Sequence, residues 1–401
     1  MAEQKMVWIM PGGRFQVPLI ESARDIGHRV VVSDRDSDCP GSALADEFVP
    51  LGVDARDALL ARASELRPDA VVTDQTDGAV SVVAWLCEQL GLSGVGTECA
   101  ERFTDKFQMR TELEAAGFKM PAFARCESLA ECAESAEAMG WPVMIKPPAS
   151  QSSLGVNRVD DKGQLPAVFG ETVSLGDGAV LVEQFMDGPE FTVEGCAGPE
   201  GHTSLCISEK SHYEHRQTVA DTLVYSPDHP EYDYAALRDL NDRVVGALAL
   251  PFGLTHAEYK WTGAEFQLVE IAARGCGSWV TSHLVPALTG VDPYPYYLSV
   301  AFGKLLPLQR PSLNRCGALD FLHFPPGCIQ SVEGLESVQA MPGIIKAGLN
   351  YSVGEMIPEL TDDTNRAGYC LTVADTNAEL DDLRARVRET VRVNYEDTHA
   401  D

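Results

Sequence analysis

The sequence predicts a protein of mixed α/β and α+β class, in which a doubly wound parallel domain precedes a largely antiparallel region. Two observations carry this prediction. Strands and helices alternate over the first hundred residues, and β-rich runs with few helices follow between residues 179 and 274. A chain of 401 residues also exceeds the roughly 250–300 at which a single core usually divides, so two or three domains around a shared cleft are expected.

The N-terminal domain, residues 1–100, is predicted from apolar runs that alternate with helical patterns. The predicted elements are strands at 6–10, 30–34 and 70–74, a helix that ends near Gly27, and a helix near 77–90 that stops at Gly91. This strand–helix alternation is typical of a Rossmann-like parallel sheet.

The middle domain, residues 101–310, is predicted to begin with one helix over 101–118, capped by Thr104. A lid subdomain at about 119–186 follows, with strands at 141–147 and 179–185 and a loop rich in small residues at 148–156. Antiparallel β-structure comes next, and the segment 286–303 returns to helix.

The last domain, residues 311–401, is predicted to be small and of α+β class. Short strands and the turn FPPGC precede a final helix. Apolar residues recur along that helix at Leu380, Leu383, Val387 and Val391.

Charge and cysteine content exclude several classes of function. Sixty acidic against 31 basic residues give a formal charge of −29, which opposes binding to nucleic acid or to anionic membranes. A polyphosphate ligand would need local cations. Eleven cysteines without a C-x-x-C pair indicate free thiols, and no apolar run is long enough to span a membrane, so a soluble cytoplasmic protein is expected.

Two lysines are candidates for phosphate binding. Lys106 falls in the first turn of a helix, where the helix dipole disfavours a cation unless an anion compensates it. Lys146 ends an apolar strand before the loop that contains Ser152, Ser153 and Gly155, whose backbone N–H groups can close over phosphates. Each lysine taken alone also fits an ordinary solvated surface position.

Paired carboxylates give the sharpest signal. Glu258 and Glu270 lie on two predicted strands joined by a Thr-Gly-Ala turn, so they are expected to face each other, and such a pair repels unless a cation lies between them. Oxygen ligands favour Mg²⁺. Arg274 follows four residues after Glu270, close enough to neutralise a phosphoryl group in transfer. A purely structural salt-bridge cluster is the alternative.

In order and spacing these stretches resemble the ATP-grasp superfamily over nearly the whole chain, with a C-terminal domain like that of the biotin-carboxylase-like branch. The resembling stretches are TDKFQMR, VMIKP, EQFMDGPEFTVEG and EIAARGCGS. The resemblance implies that Lys106 and Lys146 bind phosphates, that Glu183 and the backbone of Gln184 and Met186 meet adenine, that Glu190 meets ribose, and that Glu258 and Glu270 hold Mg²⁺.

The same resemblance implies that Arg274 stabilises an acyl phosphate and anchors a substrate carboxylate. One departure from the family pattern is Ala272, where an asparagine is usual two residues after the second glutamate. Within the superfamily, HAE followed by EIAARGCG is most similar to the L-amino-acid ligases, which form dipeptides.

The resemblance therefore implies a carboxylate–amine ligase that uses ATP with Mg²⁺, or with Mn²⁺ in its place, acts on small-molecule acids and amines, and forms a homodimer. Three alternatives stay open. They are a bicarbonate-activating carboxylase of the same fold, a nucleotide-binding regulator without catalysis, and a dinucleotide-dependent oxidoreductase. The last rests only on MPGG and Asp34, since the G-x-G-x-x-G fingerprint is absent.

Histidine and cysteine residues near the motifs are less informative. Lys210, His212 and His215 lie in a polar segment, where Lys210 is a further candidate for phosphate binding. A histidine metal site is not expected there, because Mg²⁺ prefers oxygen. Cys276 is expected to line the pocket rather than to act as a nucleophile, since acyl-phosphate chemistry needs no thiol.

Overall fold

The structure is a computed structural model of the chain, and it describes residues 4–176, 178–304, 306–309 and 311–396. Its strands form four sheets, of four, eight, three and four members.

The N-terminal region is a parallel sheet covered on both faces, as predicted. Its elements are β1 (Met6–Ile9), α1 (Val17–Asp25), β2 (Arg29–Ser33), β3 (Glu47–Val49), α2 (Arg56–Leu66), β4 (Ala70–Val72) and α3 (Asp77–Leu90). The sheet order is β3-β2-β1-β4. Ile9 packs in one core cluster with Leu19 of α1, whereas Trp8 packs on the other face with Leu86 of α3. Alternate side chains of one strand thus serve two helical layers.

The helix predicted over 101–118 is two helices, α4 (Thr97–Thr104) and α5 (Lys106–Ala115), so that prediction was wrong. Asp105 separates them in an extended conformation, and its carboxylate accepts hydrogen bonds from the backbone N–H groups of Phe107 and Gln108. An N-cap of this kind starts a new helix because it satisfies the first free amides. Lys106 is consequently the first residue of α5, which turns its side chain toward the cleft described below.

The region predicted to be the lid subdomain, called the lid below, is an antiparallel sheet with two helices. Its elements are β5 (Phe123–Cys126), α6 (Leu129–Met139), β6 (Val143–Lys146), β7 (Asn157–Val159), α7 (Leu165–Ser174) and β8 (Val180–Gln184), and the sheet order is β5-β8-β6-β7. Val143, Ile145 and Val182 form its core with the helices. The strands predicted at 141–147 and 179–185 are confirmed, and the small-residue loop connects β6 to β7.

The central region is a long antiparallel sheet with helices packed against its faces. Its elements are β9 (Glu190–Gly198), β10 (Gly201–Tyr213), β11 (Arg216–Tyr225), α8 (Tyr234–Ala247), β12 (Gly253–Trp261), β13 (Phe266–Ala272), α9 (Val285–Thr289) and α10 (Pro293–Ala301). The helical segment predicted at 286–303 is interrupted, because Gly290 ends α9 with a positive φ of 75° and Asp292 caps α10.

The C-terminal region extends the central sheet instead of forming a separate one. Its elements are β14 (Cys316–Leu322), β15 (Gly327–Glu333), α11 (Leu335–Gln339), β16 (Ile344–Leu349), β17 (Met356–Ile357), β18 (Gly368–Ala374), α12 (Asn377–Thr390) and β19 (Arg392–Tyr395). The eight-stranded order is β13-β12-β9-β10-β11-β14-β18-β16, and β17-β15-β19 make a small sheet. The sheet therefore crosses the domain boundary predicted near residue 311. In α12, Leu380, Leu383 and Val387 are buried, as predicted, whereas Val391 is buried but lies just beyond the end of the helix.

All eleven cysteines are free thiols, as the sequence indicated, and ten of them are buried. Across the described ranges, no helix combines the length and the apolar character that crossing a membrane requires.

Candidate active site

A cavity of about 880 Å³ lies where all parts of the molecule meet. Its wall includes Arg14 from the N-terminal region, Lys146 from the lid, Glu258 from the central sheet and Arg366 from the C-terminal region. A cavity of this size falls within the range typical of ligand-binding sites.

One face of the central sheet forms the floor of this cavity and carries its charged residues. Glu258 of β12 pairs in register with Glu270 of β13, and Lys210 of β10 pairs with Glu190 of β9. Side chains directly opposite each other on neighbouring antiparallel strands project from the same face. The predicted juxtaposition of Glu258 and Glu270 is therefore confirmed, although their ligand remains a prediction.

Each of these two carboxylates has a lysine beside it. Lys210 Nζ lies 2.8 Å from Glu258 Oε1, and Lys106 Nζ lies 3.1 Å from Glu270 Oε2. The lysines are mostly buried, with side chains 12% and 8% exposed. Since isolated buried charges are costly, each lysine balances the carboxylate beside it.

Glu190, the predicted ribose ligand, also lies on the cavity wall and has two lysines and a histidine beside it. Lys210 Nζ is 2.7 Å from its Oε1, while Lys260 Nζ and His212 Nε2 lie 3.5 and 3.6 Å from its Oε2. Lys210 thereby bridges Glu190 and Glu258. A hydrogen bond from a ribose hydroxyl to Glu190 stays a prediction.

Lys146 belongs to a buried ion-pair network with Glu183 and Arg110. Glu183 Oε2 lies 2.5 Å from Lys146 Nζ, and Glu183 Oε1 lies 2.7 Å from Arg110 Nε. Burial opposes ionisation of Glu183, but the two cations outweigh it and lower the pKa of Glu183 to about 2. Burial likewise lowers the pKa of Lys146. Both oxygens of Glu183 are engaged, so the adenine contact predicted for it would require an ion pair to open.

Arg110 was missed in the sequence interpretation. It is fully buried, and its two Nη atoms donate to the carbonyl oxygens of Leu268 and Val269, next to Glu270. The sequence feature that could have indicated Arg110 is its position four residues after Lys106, which places both side chains on one face of α5. Arg110 thus joins the lid to the strand that carries Glu270.

The loop between β6 and β7 closes one side of the cavity. Ser152 and Ser153 line the cavity and have positive φ angles of 59° and 60°. Gly155 has a φ of 71°, and a Cβ there would lie 2.8 Å from the Leu175 side chain and 3.1 Å from Pro147, so a larger residue would be strained. Lys106 Nζ donates to the carbonyl oxygen of Ser150 at 2.7 Å. The loop therefore lies next to both lysines that the sequence predicted for phosphate.

Gln184 and Met186, which the resemblance places near adenine, also line the cavity. The backbone N–H of Gln184 already donates to the carbonyl oxygen of Ala122. Gly188 follows with a φ of 123°, and a Cβ there would lie 2.0 Å from the carbonyl oxygen of Trp261. Glycine is required at this close approach between the lid end and β12.

Arg274 is bound by an acidic residue of the N-terminal region. Its Nε and Nη2 atoms lie 2.6 and 3.2 Å from the two oxygens of Asp77, the first residue of α3. The next residue, Gly275, donates its backbone N–H to Asp74 at 2.7 Å. Asp74 and Asp77 were not singled out in the sequence. The signal was their position just after β4, since the carboxyl ends of parallel strands commonly form binding sites.

Strained backbone surrounds Arg274. Gln75, Ser278 and Trp279 all have positive φ angles, of 59°, 54° and 62°, and all three line the cavity. Such conformations cost on the order of 1–3 kcal/mol each in residues other than glycine, and they concentrate at functional sites.

A second buried cluster consists of Glu194, His256 and Cys276, whose donor atoms all lie within 4.8 Å of one another. His256 Nδ1 is 2.9 Å from Glu194 Oε1, and His256 Nε2 is 3.4 Å from Glu258 Oε1. Burial lowers the pKa of His256, but Cys276 and Glu194 raise it well above the ordinary value.

Cys276 lines the cavity, as the sequence predicted. His212 also lines it, whereas His215 contacts Tyr213 and His323 at the β10–β11 turn.

Arg366 is a further cation that sequence reasoning missed. It stacks on the Phe321 ring at 3.4 Å from the centroid, and its Nη2 donates to Asp363 at 2.8 Å. Its Nε is buried, and neither Nε nor Nη1 has an acceptor among the residues that the structure describes. Arg366 belongs to no local sequence motif, and only the fold brings it to the cavity.

Comparisons with known proteins identify two domains in this chain and a similar solved structure. Residues 139–283 match the model of the ATP-grasp domain, and residues 320–396 match that of the L-amino acid ligase C-terminal domain 2. An L-amino acid ligase from Bacillus licheniformis has a similar structure, with a TM-score of 0.84 and 22% identity over 99% of this chain and 100% of that one.

Two curated sequences are also similar. The uncharacterised protein y4rH of Sinorhizobium fredii is 26% identical over 346 residues, 84% of this chain and 71% of that protein. A D-alanine–D-alanine ligase of Pseudomonas putida is 26% identical over 245 residues, 59% of this chain and 68% of that enzyme.

The fold and the two domain matches together define an ATP-grasp ligase, an enzyme that forms a carbon–nitrogen bond. Within that superfamily it carries the C-terminal domain of the L-amino acid ligases.

Proposed function

We propose that this ligase activates the carboxylate of an amino acid or a related small acid as an acyl phosphate and transfers the acyl group to an amine. ATP is the phosphoryl donor, and ADP, phosphate and an amide or peptide are the products. The observation that carries the proposal is the set of residues on one cavity wall, where Glu258 faces Glu270 and each has a lysine beside it.

The residues present fit a divalent cation. Glu258 and Glu270 offer carboxylate oxygens from adjacent strands, which is the donor type that Mg²⁺ and Mn²⁺ prefer. When bound, such an ion would neutralise charge on the phosphates and on the phosphoryl group in transfer. Lys106 and Lys210, which pair with these carboxylates, would then be available to phosphate oxygens.

In the first step an oxygen of the substrate carboxylate attacks the γ-phosphorus, and the bond between that phosphorus and the ADP oxygen breaks. The chain's contribution is to place these atoms in line and to stabilise the spreading negative charge. Lys146 is fixed for this task by its ion pair with Glu183. Lys106 is fixed by Ser150 and Glu270.

In the second step an amine nitrogen attacks the acyl carbon, the carbon–oxygen bond to phosphate breaks, and the nitrogen loses a proton. Water would hydrolyse the acyl phosphate, so the site must exclude it in the meantime. The loop with Ser152, Ser153 and Gly155 lies where it can cover the phosphates. We assign it this lid role, with backbone N–H groups as the donors.

Two arginines are the candidates for anchoring the substrate acid. Arg274 is held by Asp77 through two of its nitrogen atoms, which positions it but also occupies it. Arg366 lines the same cavity, and its buried Nε has no acceptor among the residues that the structure describes. A planar guanidinium with free donors binds a carboxylate through two parallel hydrogen bonds. Arg366 therefore shares with Arg274 the task of holding the acid and its acyl phosphate.

The experiment that tests the proposed function is a screen of amino acids, singly and in pairs, for phosphate release from ATP. Pairs that release phosphate only together identify an acid and an amine. Hydroxylamine added with ATP and the acid alone should trap the acyl phosphate as a hydroxamate. Phosphate release without hydroxamate or amide would contradict the proposed intermediate.

The same screen separates the alternatives. Turnover that depends on bicarbonate and not on an amino acid would favour a carboxylating enzyme. Nucleotide binding without ADP formation for every acid tested would favour a regulator. Homodimerisation stays a prediction as well, and light scattering of the purified chain would measure it directly.

A further inference from the structure

We propose that His256 is a nitrogen ligand of the divalent cation at Glu258 and Glu270, so that the site favours Mn²⁺ over Mg²⁺ more strongly than an all-oxygen site would. The inference rests on the proposed function, because it concerns the ion that those two carboxylates would hold. It adds a ligand that the superfamily resemblance does not supply.

The register of the β12–β13 ladder supplies the first observation. Glu258 lies opposite Glu270, and two residues earlier His256 lies opposite Ala272. All four side chains are on the cavity face of the sheet, because side chains alternate along a strand. Ala272 occupies the position where the resembled pattern has asparagine. Its methyl group offers no donor atom, and the nearest donor across the ladder is the imidazole of His256.

The orientation of the imidazole supplies the second observation. His256 Nδ1 lies 2.9 and 3.1 Å from the two oxygens of Glu194, a carboxylate that is only 2% exposed. Glu194 also accepts a hydrogen bond from the hydroxyl of Tyr225 at 3.1 Å. A carboxylate that holds one ring nitrogen fixes the tautomer and turns the other nitrogen toward a metal. In His256 that other nitrogen, Nε2, lies near Glu258, and the imidazole also interacts with the thiol of Cys276.

The spacing of the two donor atoms supplies the third observation. His256 Nε2 lies 3.4 Å from Glu258 Oε1. Two ligand atoms that are each about 2.1 Å from one ion lie roughly 3.0–3.5 Å apart at octahedral or tetrahedral angles. The pair can therefore share an ion without a change of rotamer. Both Mg²⁺ and Mn²⁺ favour oxygen donors, but Mn²⁺, a transition-metal ion, accepts an imidazole nitrogen more readily than Mg²⁺ does, so Mn²⁺ gains more affinity from His256.

Two neighbouring residues, Lys210 and Cys276, allow arrangements that compete with the proposed metal site. Lys210 Nζ lies 2.8 Å from the same Glu258 oxygen, so an ion must displace it. Cys276 lies with Glu194 and His256 in a cluster of donor atoms within 4.8 Å, so an ion that prefers sulfur would sit there instead. A salt bridge between a protonated His256 and Glu258, with no role in metal binding, is the third arrangement.

The test is pulsed electron paramagnetic resonance of the full chain with Mn²⁺ and ADP, after removal of endogenous metals. The protein is labelled with ¹⁵N-histidine, so that modulation from a histidine nitrogen is distinguished from that of adenine. We expect ¹⁵N coupling to Mn²⁺ in the wild type and its loss in His256→Asn. His212→Asn, which changes another histidine of the same cavity, and Cys276→Ser should both retain it.

Affinities measured by calorimetry provide a second readout. His256→Asn should weaken Mn²⁺ binding by roughly tenfold to a hundredfold and Mg²⁺ binding by much less, and Glu194→Gln should weaken Mn²⁺ binding by about tenfold. Ala272→Asn, which adds an oxygen donor opposite His256, should improve Mg²⁺ binding relative to Mn²⁺.

Wild-type protein without ¹⁵N coupling overturns the inference, whether or not any variant folds. Loss of coupling in Cys276→Ser overturns it too, since the ion would then lie in the sulfur-containing cluster. Failure of the proposed function is distinguishable, because it appears as absent phosphate release with Mg²⁺ in the wild type. The resonance measurement requires no turnover.

Discussion

Arg274 and Asp77 form a two-point ion pair between the central sheet and the N-terminal region, with Nε–Oδ1 and Nη2–Oδ2 distances of 2.6 and 3.2 Å. The arginine side chain is 11% exposed. Asp77 and other charges raise the pKa of Arg274 against the effect of burial, so the guanidinium is a fixed cation on the cavity wall. The pair can be structural, or it can position Arg274 for substrate, and variants separate these roles.

Arg274→Lys should lower turnover about a hundredfold and raise the apparent KM of the acid, with nucleotide affinity nearly unchanged. A lysine keeps the charge but cannot bind Asp77 and a carboxylate at once, and such a contact is worth on the order of 3 kcal/mol. Steady-state kinetics measure turnover and the KM of the acid, and calorimetry measures the nucleotide affinity. Asp77→Asn is the control, since it removes the partner and leaves the arginine. Normal kinetics per folded molecule, with a lower melting temperature in both variants, would make the pair structural.

Arg366→Gln should raise the KM of the acid by roughly tenfold to a hundredfold, because charge-assisted hydrogen bonds contribute about 1.5–3 kcal/mol. The KM of ATP should change little. Arg384 is a matched control, because it is similarly buried and pairs with Asp320 at 2.7 Å, while it does not line the cavity. Arg384→Gln should lower only the melting temperature. An equal effect of both variants on the acid KM would remove Arg366 from the binding site.

Glu270→Gln should abolish phosphate release while the fold is retained, because it removes the charge that would hold the cation and leaves Lys106 without its carboxylate partner. Phosphate release and circular dichroism are the measurements. Glu265→Gln on the same hairpin removes an exposed ion pair with Lys119 and should have normal activity. Wild-type turnover in Glu270→Gln with an unchanged dependence on Mg²⁺ would refute the metal assignment.

Acid pH should destabilise the protein through Glu183. Its pKa in the folded protein is about 2, below the ordinary 4.5, so its stabilising contribution is complete above pH 4.5 and is lost as pH falls toward 2. A pKa difference of one corresponds to about 1.4 kcal/mol, so Glu183 contributes on the order of 3 kcal/mol to the free energy of unfolding.

Denaturant unfolding of the wild type and of Glu183→Gln between pH 2 and 6 measures this contribution. The difference in the free energy of unfolding should shrink as the pH falls. Lys146→Ala should weaken nucleotide binding and also lower stability, because it removes one cation from Glu183. A pH-independent difference between wild type and Glu183→Gln would contradict the ion-pair network.

The loop at 149–156 should exchange its amide hydrogens more slowly when nucleotide and divalent cation are bound. Its serines and glycine have backbone freedom that phosphate contacts would reduce. Hydrogen-exchange mass spectrometry with and without nucleotide gives the comparison, and the turn at 351–355, outside the cavity, is the reference segment. Equal exchange in both states would exclude the lid role.

Local patterns in the sequence were sufficient for most elements and for several site residues. Strand alternation predicted the doubly wound N-terminal sheet, and the apolar period of α12 predicted its buried face. Glu258 and Glu270 could be placed opposite each other because a short turn joins their strands, so their pairing depends on few residues. The helix over 101–118 was wrong because a single N-cap, Asp105, outweighs the helical periodicity around it.

What the sequence by itself determined is therefore the local content of this protein: its element types, the glycine-rich loop after Lys146, and the carboxylate pair. Only the tertiary structure decided which charges meet. Asp77 reaches Arg274 across 197 positions, Arg110 reaches Glu183 across 73, and Arg366 enters the cavity from the far end of a continuous eight-stranded sheet. Such contacts follow from sheet order and domain packing, and the chain between the partners carries no periodicity that would encode them.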